Sequence, residues 1–308
     1  MAKVSYSIES NDKNIDKDIV KFFESATITD EIKNGADVLD LRISHLSSLP
    51  KVGTVIAFSA GYDNTLNLLG RFTTNEISCN LFTGAAAIKA KAVAAYSNLK
   101  MQRKIKTWQQ SKLSAIVKQV AADHNLQTKF KIAEDPFFEV YNQNNETDLA
   151  FLRRIANDNG ADIAIKNGCI IFFDESPDTF KVDLTELSSG SLKTAGTTFG
   201  SVEAFYFDRE DGDKIKKIVV GSGSPRYQGQ GGFHSANEAA GYAKRKLESL
   251  QKSAFTGSIQ FAKGRPDIYA GAKIKLTGVR PEFAGEYRIS KITHNITADS
   301  FTSTAEIG

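Results

Sequence analysis

Cysteine is nearly absent from this chain of 308 residues. Cys79 and Cys169 are the two present, and neither belongs to a CxxC pair or a Cys/His cluster, which excludes a zinc ribbon and a disulfide framework. Reduced, cytoplasmic folding is therefore expected. A charge excess is also missing. Lys and Arg total 39 against 36 Asp and Glu, and a formal net charge of +3 disfavours a dedicated nucleic-acid binder. No run approaches the roughly 18 apolar residues of a membrane helix. Met1 to Ser10 alternates as a first strand and lacks the regions of a secretory leader, so no membrane anchor and no export through this segment are expected. Proline (6) and tryptophan (1) are scarce, while glycine (23) is frequent between short alternating segments, a β-rich signature.

The strand pattern comes in two blocks. In the first, Val38 to Leu41, Val52 to Phe58 and Phe72 to Ile77 are separated by Ser47 to Pro50 and Gly61 to Asn64. Gly84 to Lys106, Ala-rich and then basic, reads as an exposed and partly helical connector. In the second, Val202 to Asp208 and Ile215 to Val220 predict a hairpin. A helix behind Ser235 and Glu238 carries Ala239, Tyr242, Ala243, Leu247 and Leu250 on one face. Strands close the chain at Ser258 to Phe261, Lys273 to Leu276, Tyr287 to Thr293 and Phe301 to Ile307.

Between the blocks the period changes. Leu113, Ile116, Val117 and Val120 share a helix face, with Thr107 and Gln110 as a capping box and Trp108 as a packing anchor at the helix start. A second helix follows Asn145 with Leu149, Leu152, Ile155 and Ala156 on one side and Gly160 as its terminator. Asn167-Gly168 between apolar runs predicts a two-residue hairpin that sets Ile165 opposite Ile170 and Ile163 opposite Phe172. The expected organisation is α+β, mainly β. Two antiparallel barrels, 1–106 with the basic connector and 178–308 with one packed helix, enclose a small α+β domain at 107–177.

The two β blocks share a sparse pattern. Pro50, Gly53, Ile56 and Phe58, then Gly70, Phe72 and Ile77, lie over Pro266, Gly271, Ile274 and Leu276, then Gly285, Tyr287 and Ile292. Gly53, Gly70, Gly271 and Gly285 are read as structural turns. Period-two strands produce such matches easily, so a duplication and coincidence both remain open on this ground.

Catalytic signatures fail. GxSxG, HExxH and the P-loop are absent, and Gly221-Ser222-Gly223 is not continued to GxGxxG. Counted as a calcium loop with Gly212 at position six, the acidic stretch Asp208 to Asp213 puts Phe207 and Arg209 at ligand positions, so it reads as a solvated hairpin tip. The four histidines, His45, His124, His234 and His294, are scattered, and His294 reads as a hydrogen-bonded sheet residue. No catalytic residue, metal ligand or cofactor is expected.

Several segments, in order, closely resemble the phage late control protein D family: GRPDIYAGAKIKLTG from Gly264 to Gly278 and FAGEYRISKITH from Phe283 to His294. The helix Ala239 to Leu250, the Trp108 to Val120 segment, Asn145 to Ala156 running into Gly160, and Leu39 to Ile77 are similar too. The resemblance implies a non-enzymatic baseplate hub of a contractile tail, similar to the first part of type VI secretion spike proteins. In that family each chain carries two barrels akin to the tail-tube subunit, and a homotrimer forms a pseudo-sixfold ring joining a hexameric tube to a trimeric spike. Implied partners are the spike, tube, tape-measure and other baseplate proteins, with DNA passage through the lumen. The implied place is the virion tail baseplate, after assembly in the host cytoplasm. The chain stops after its last strand at Gly308, so the spike is expected on a separate polypeptide. A tail-associated peptidoglycan hydrolase and a receptor-binding or sugar-binding module are the alternatives.

Overall fold

The computed structural model describes residues 3–10, 13–14, 22–32, 37–44, 49–92, 99–132, 135–166, 169–173, 178–194, 199–208, 212, 214–233, 235–252 and 255–308. The amino-terminal part contains β1 (Val4–Ser10), β2 (Lys13–Asn14), β3 (Phe23–Glu31), β4 (Val38–Ile43), β5 (Val55–Tyr62), β6 (Thr65–Cys79) and β7 (Ala86–Lys91). The middle holds β8 (Arg103–Lys112), α1 (Leu113–Asp123), β9 (Gln127–Lys131), β10 (Phe137–Thr147), α2 (Asp148–Asp158), β11 (Asp162–Lys166) and β12 (Cys169–Phe173). The rest consists of β13 (Thr179–Asp183), β14 (Leu187–Thr194), β15 (Ser201–Asp208), β16 (Lys214–Gly221), β17 (Arg226–Phe233), α3 (Ala236–Lys252), β18 (Phe255–Phe261), β19 (Lys273–Thr277), β20 (Gly285–Thr297) and β21 (Phe301–Ile307).

The chain is α+β and mainly β. Both β blocks belong to one 13-stranded sheet ordered β14-β18-β21-β20-β3-β4-β7-β6-β5-β1-β2, with β19 on β20 and β13 on β19. Each half rolls around its own apolar core. Tyr6 of β1 and Phe23 of β3 have ring centroids 4.2 Å apart although four strands separate them in the sheet. In the other half Val182 of β13 is buried in one cluster with Ile259, Ile274, Ile289 and Ala305, against which Leu187 and Leu192 of β14 pack. The sheet does not close either half on itself among the described residues, so the expected barrels are rolled portions of one continuous sheet.

The exposed connector is corrected by β7. Ala86, Ile88 and Ala90 alternate inward with Ala87, Lys89 and Lys91, and the strand lies between β4 and β6 in the main sheet. Small side chains concealed the period-two pattern. The basic residues that follow are engaged, with Lys104 on Asp148, Arg103 on the Asn145 carbonyl and Lys106 Nζ 3.7 Å from the Trp108 ring centre.

The middle segment combines two helices with strands that pair outside the main sheet. Its core joins Trp108, Leu113, Ile116, Val117, Val120, Leu149, Phe151, Leu152, Ile155, Ile170 and Phe172. The strand pair matches the expected register, Ile165 opposite Ile170 and Ile163 opposite Phe172, while the Asn167-Gly168 turn lies outside the described residues. Gly160 holds φ +64° after α2, and Thr147 Oγ1 accepts from the Ala150 amide at its start. The capping box at Thr107 and Gln110 is incorrect: both lie in β8, as does Trp108, and the helix begins at Leu113. Its cap is remote in sequence. Asp135 accepts from the Ser114 amide and hydroxyl at 2.9 and 2.7 Å, which no local motif could announce. Trp108 is nevertheless an anchor, stacked at 6.1 Å on Phe151.

An insertion separates β14 from β18. The expected hairpin is β15 against β16, Asp208 opposite Lys214, and β17 adds to β15 in parallel. Helix α3 covers this three-stranded sheet through Ala239, Tyr242, Ala243 and Leu247, with Ser235 Oγ accepting from the Glu238 amide.

Candidate assembly surfaces

The sparse repeat becomes a structural duplication when strand neighbours are compared. The run β3-β4-β7-β6-β5 in the first half has the same sequence order and antiparallel pairing as β14-β18-β21-β20-β19 in the second. Registers agree residue by residue. Ile56 faces Phe72 and Phe58 faces Gly70, just as Ile274 faces Tyr287 and Leu276 faces Gly285. Bulges recur at equivalent places, between Thr74 and Glu76 and between Ile289 and Lys291. Another equivalent pair falls between Phe23 and Ser25 and between Leu187 and Ser189. Bulges re-aim strands at defined points, so their coincidence is much more specific than matching apolar residues.

The glycines divide in two. Gly53 and Gly271 hold φ +92° and +100°, and each donates its amide to the residue at the bulge, Thr74 at 2.8 Å and Ile289 at 2.9 Å. Gly70 and Gly285 lie in strands instead of turns. Each leaves space for the aromatic ring two residues on: a Cβ on Gly70 would sit 2.6 Å from the Phe72 ring, and one on Gly285 3.9 Å from Tyr287.

One joint connects the halves. Past its pairing with β19, strand β20 continues against β3 from Lys291 opposite Glu31 to Thr297 opposite Ser25. The tip of the β20–β21 hairpin thereby enters the first half. Ile296 and Phe301 are buried in the core formed by Ala26, Ile28, Leu41, Phe58 and Phe72. Phe301 stacks on Tyr62 at 5.7 Å, and the Tyr62 hydroxyl accepts from the Gly264 amide and donates to the Phe301 carbonyl. His294 is the hydrogen-bonded sheet residue expected from its neighbours, 2.8 Å from Ser303 Oγ.

The equivalent surfaces elsewhere are open. β14, the counterpart of β3, ends the sheet with Ser188, Ser189, Gly190 and Ser191 exposed. Beyond its pairing with β5, the end of β6 corresponds to the part of β20 held by β3, and among the described residues no strand lies on that edge. The β6–β7 tip carries Leu81, 92% exposed, and Phe82, fully exposed. Beside β14 lies a groove of about 620 Å³ bordered by Leu187, Leu192, Leu276, Val279 and Phe283.

Polar clusters stabilise the middle unit. Asp148, 3% exposed, has Lys104 Nζ and His124 Nε2 each 2.6 Å from Oδ2 and the Gln143 amide 2.9 Å from Oδ1. Burial opposes its ionisation, but the Gln143, His124 and Lys104 hydrogen bonds prevail and hold its pKa below the ordinary value. Arg154 grips Glu146 through Nε and Nη2 and reaches the Tyr141 hydroxyl, which donates to Asp158 at 2.7 Å. Burial raises Asp158 above the ordinary carboxylate range against the pull of Tyr141 and Arg154. Burial and the Asp158 charge push Tyr141 far above its usual value.

Tyr141, Glu146, Arg154 and Asp158 line a cavity of about 630 Å³ between β10, α2 and α3. Glu146, Arg154, Tyr141 and Asp158 are tied to one another, as in a structural ion-pair network. No group of three or more His, Cys, Asp or Glu side chains able to hold a metal exists among the described residues. His45 and His234 lie outside them, as do Arg209 to Asp211 and Asp213 of the acidic stretch, where Gly212 has φ +68°.

A model of the phage tail baseplate hub (GPD) family matches residues 77–181. A probable baseplate hub protein of Escherichia phage P2 is 22% identical over 360 residues, covering 98% of this chain and 92% of its own. A tail protein of Neisseria meningitidis superposes with a TM-score of 0.70 at 14% identity, over 99% of this chain and 96% of its own. An Escherichia coli component of the type VI secretion system, described as structurally similar to T4 bacteriophage tail proteins, gives 0.60 at 13% identity, over 99% and 76%.

Proposed function

We propose that the chain, which is similar to phage tail baseplate hub proteins, serves as a structural hub of a contractile tail or a tail-derived particle, working as a homotrimer. Three copies of a duplicated chain present six similar units in a ring. Such a ring matches a hexameric tube on one face and a trimeric spike on the other. The spike, tube and tape-measure proteins are its partners, and DNA crosses the lumen. The observation that carries this reading is the duplication, down to its registers and bulges, with the halves joined by one β20–β3 pairing.

The reading requires no chemistry of the chain itself, and the polar groups of the middle unit serve the fold. Light scattering of the soluble protein, alone or with its spike, is expected to give three times the chain mass. Monomers in a purified tail would refute it. Digestion of purified sacculi, lost on a single Asp, Glu or His substitution, would restore the hydrolase alternative.

A further inference from the structure

We propose that the open end of β6 in one copy pairs with the free edge of β14 in a second copy, and that Leu81 and Phe82 fill the second copy's groove. The proposal rests on the ring reading above and names its contact. The chain already contains the template, because β20 pairs with β3 and the β20–β21 tip is buried in the first half's core. Under the duplication, β6 corresponds to β20 and β14 to β3. Transferring the register sets Ile77 opposite Thr194, Ser78 opposite Lys193 and Cys79 opposite Leu192, antiparallel.

Burial supports the assignment on both partners. In the internal joint Ala26, Ile28, Ile292 and His294 are all at most 3% exposed. Their counterparts are uncovered to differing degrees: Gly190 and Cys79 are exposed, Leu192 and Ile77 half-buried. Leu81 stands where Ile296 stands in the other half, and Phe82 follows it on a hairpin that is two residues shorter. The groove of about 620 Å³ lies where the first half receives that tip, with Leu276 in the place of Phe58. Exposed strand edges are otherwise blunted by charge, proline or a covering element, and two apolar residues on an open tip need a partner. A head-to-tail contact of this kind generates a closed ring when its rotation permits.

Two experiments test the contact. Directly opposed residues in antiparallel strands have Cα atoms about 4.5–5.5 Å apart, within disulfide range. Leu192→Cys is therefore expected to form an intermolecular disulfide with native Cys79 on mild oxidation. Cys79→Ser should abolish it, and Thr194→Cys, two positions out of register, should give little. Leu81→Glu with Phe82→Glu changes only exposed side chains. It is expected to retain the native circular dichroism and melting temperature of the monomer and to reduce the oligomer fraction at least about tenfold. A trimer that survives this double change and yields no Cys79-dependent cross-link overturns the edge assignment and leaves the ring reading standing. Loss of binding to another tail protein with the trimer intact would also overturn it, giving the groove to that protein. A wild-type chain that stays monomeric within tails refutes the ring reading itself.

Discussion

The two halves of the sheet share strand order, register and bulges, yet their hairpin tips have opposite fates. Ile296 and Phe301 are buried in the opposite half, whereas Leu81 and Phe82 face solvent. The same strand program thus yields one satisfied joint and one open joint within a single chain. A half-unit does not complete its own core. The first half borrows a hairpin tip, and among the described residues the second half receives none. That asymmetry separates folding from assembly in the proposed contact: residues of the closed joint stabilise the monomer, and residues of the open joint are left for a second copy.

The comparison breaks most visibly at the tips. Phe301→Ala removes a ring that is 4% exposed and is expected to cost about 3–5 kcal/mol in urea unfolding. Phe82→Ala, fully exposed, should leave monomer unfolding unchanged within about 0.5 kcal/mol. Equal losses at both positions would contradict the closed-against-open distinction.

A control outside both joints comes from Asp148→Asn. It leaves Lys104 and His124 without their carboxylate and is expected to cost about 2–4 kcal/mol while association per folded chain stays the same. Native Asp148 also sets an acid dependence. Its folded pKa lies below the unfolded value of about 3.9, so its stabilisation is complete above that value and disappears as pH falls through the folded one. In an acid titration the Asn variant should narrow its stability gap to the native chain below about pH 4.

Equivalent glycines sharpen the comparison further. Gly70→Val forces a Cβ against the buried Phe72 ring and should lower stability by about 1–3 kcal/mol, more than Gly285→Val, whose Cβ meets the Tyr287 ring at an ordinary distance. The smallest effect is expected from charge exchange. Glu76 with Lys89 and Lys291 with Glu306 are the same pair with its signs reversed, at 3.1 and 2.9 Å. Exchanging both charges in either pair should change the melting free energy by less than about 1 kcal/mol.

Much of this organisation was legible in local patterns. The α1 and α2 faces, the Gly160 terminator, the β11–β12 register and the β15–β16 hairpin follow from periodicity and turn chemistry, which act over a few residues. Ala86 to Lys91 was misread because alanine carries too little apolar contrast to mark a strand, and the α1 start because its cap, Asp135, lies 21 residues away from Ser114. Seven matched positions hinted at the duplication, but only strand pairing could reveal that Phe58 faces Gly70 as Leu276 faces Gly285. The open joint had a faint signal in Leu81-Phe82 beside a turn. Its meaning depends on a joint between residues more than 250 positions apart, beyond the reach of any sequence window.

The central claim is that a duplicated chain repeats its internal joint between copies to close a ring. Averaged electron micrographs of the isolated hub, viewed down its axis, test it most directly. Six similar densities in three pairs around a lumen are predicted. A ring of three undivided densities, or particles with no rotational symmetry, would contradict it.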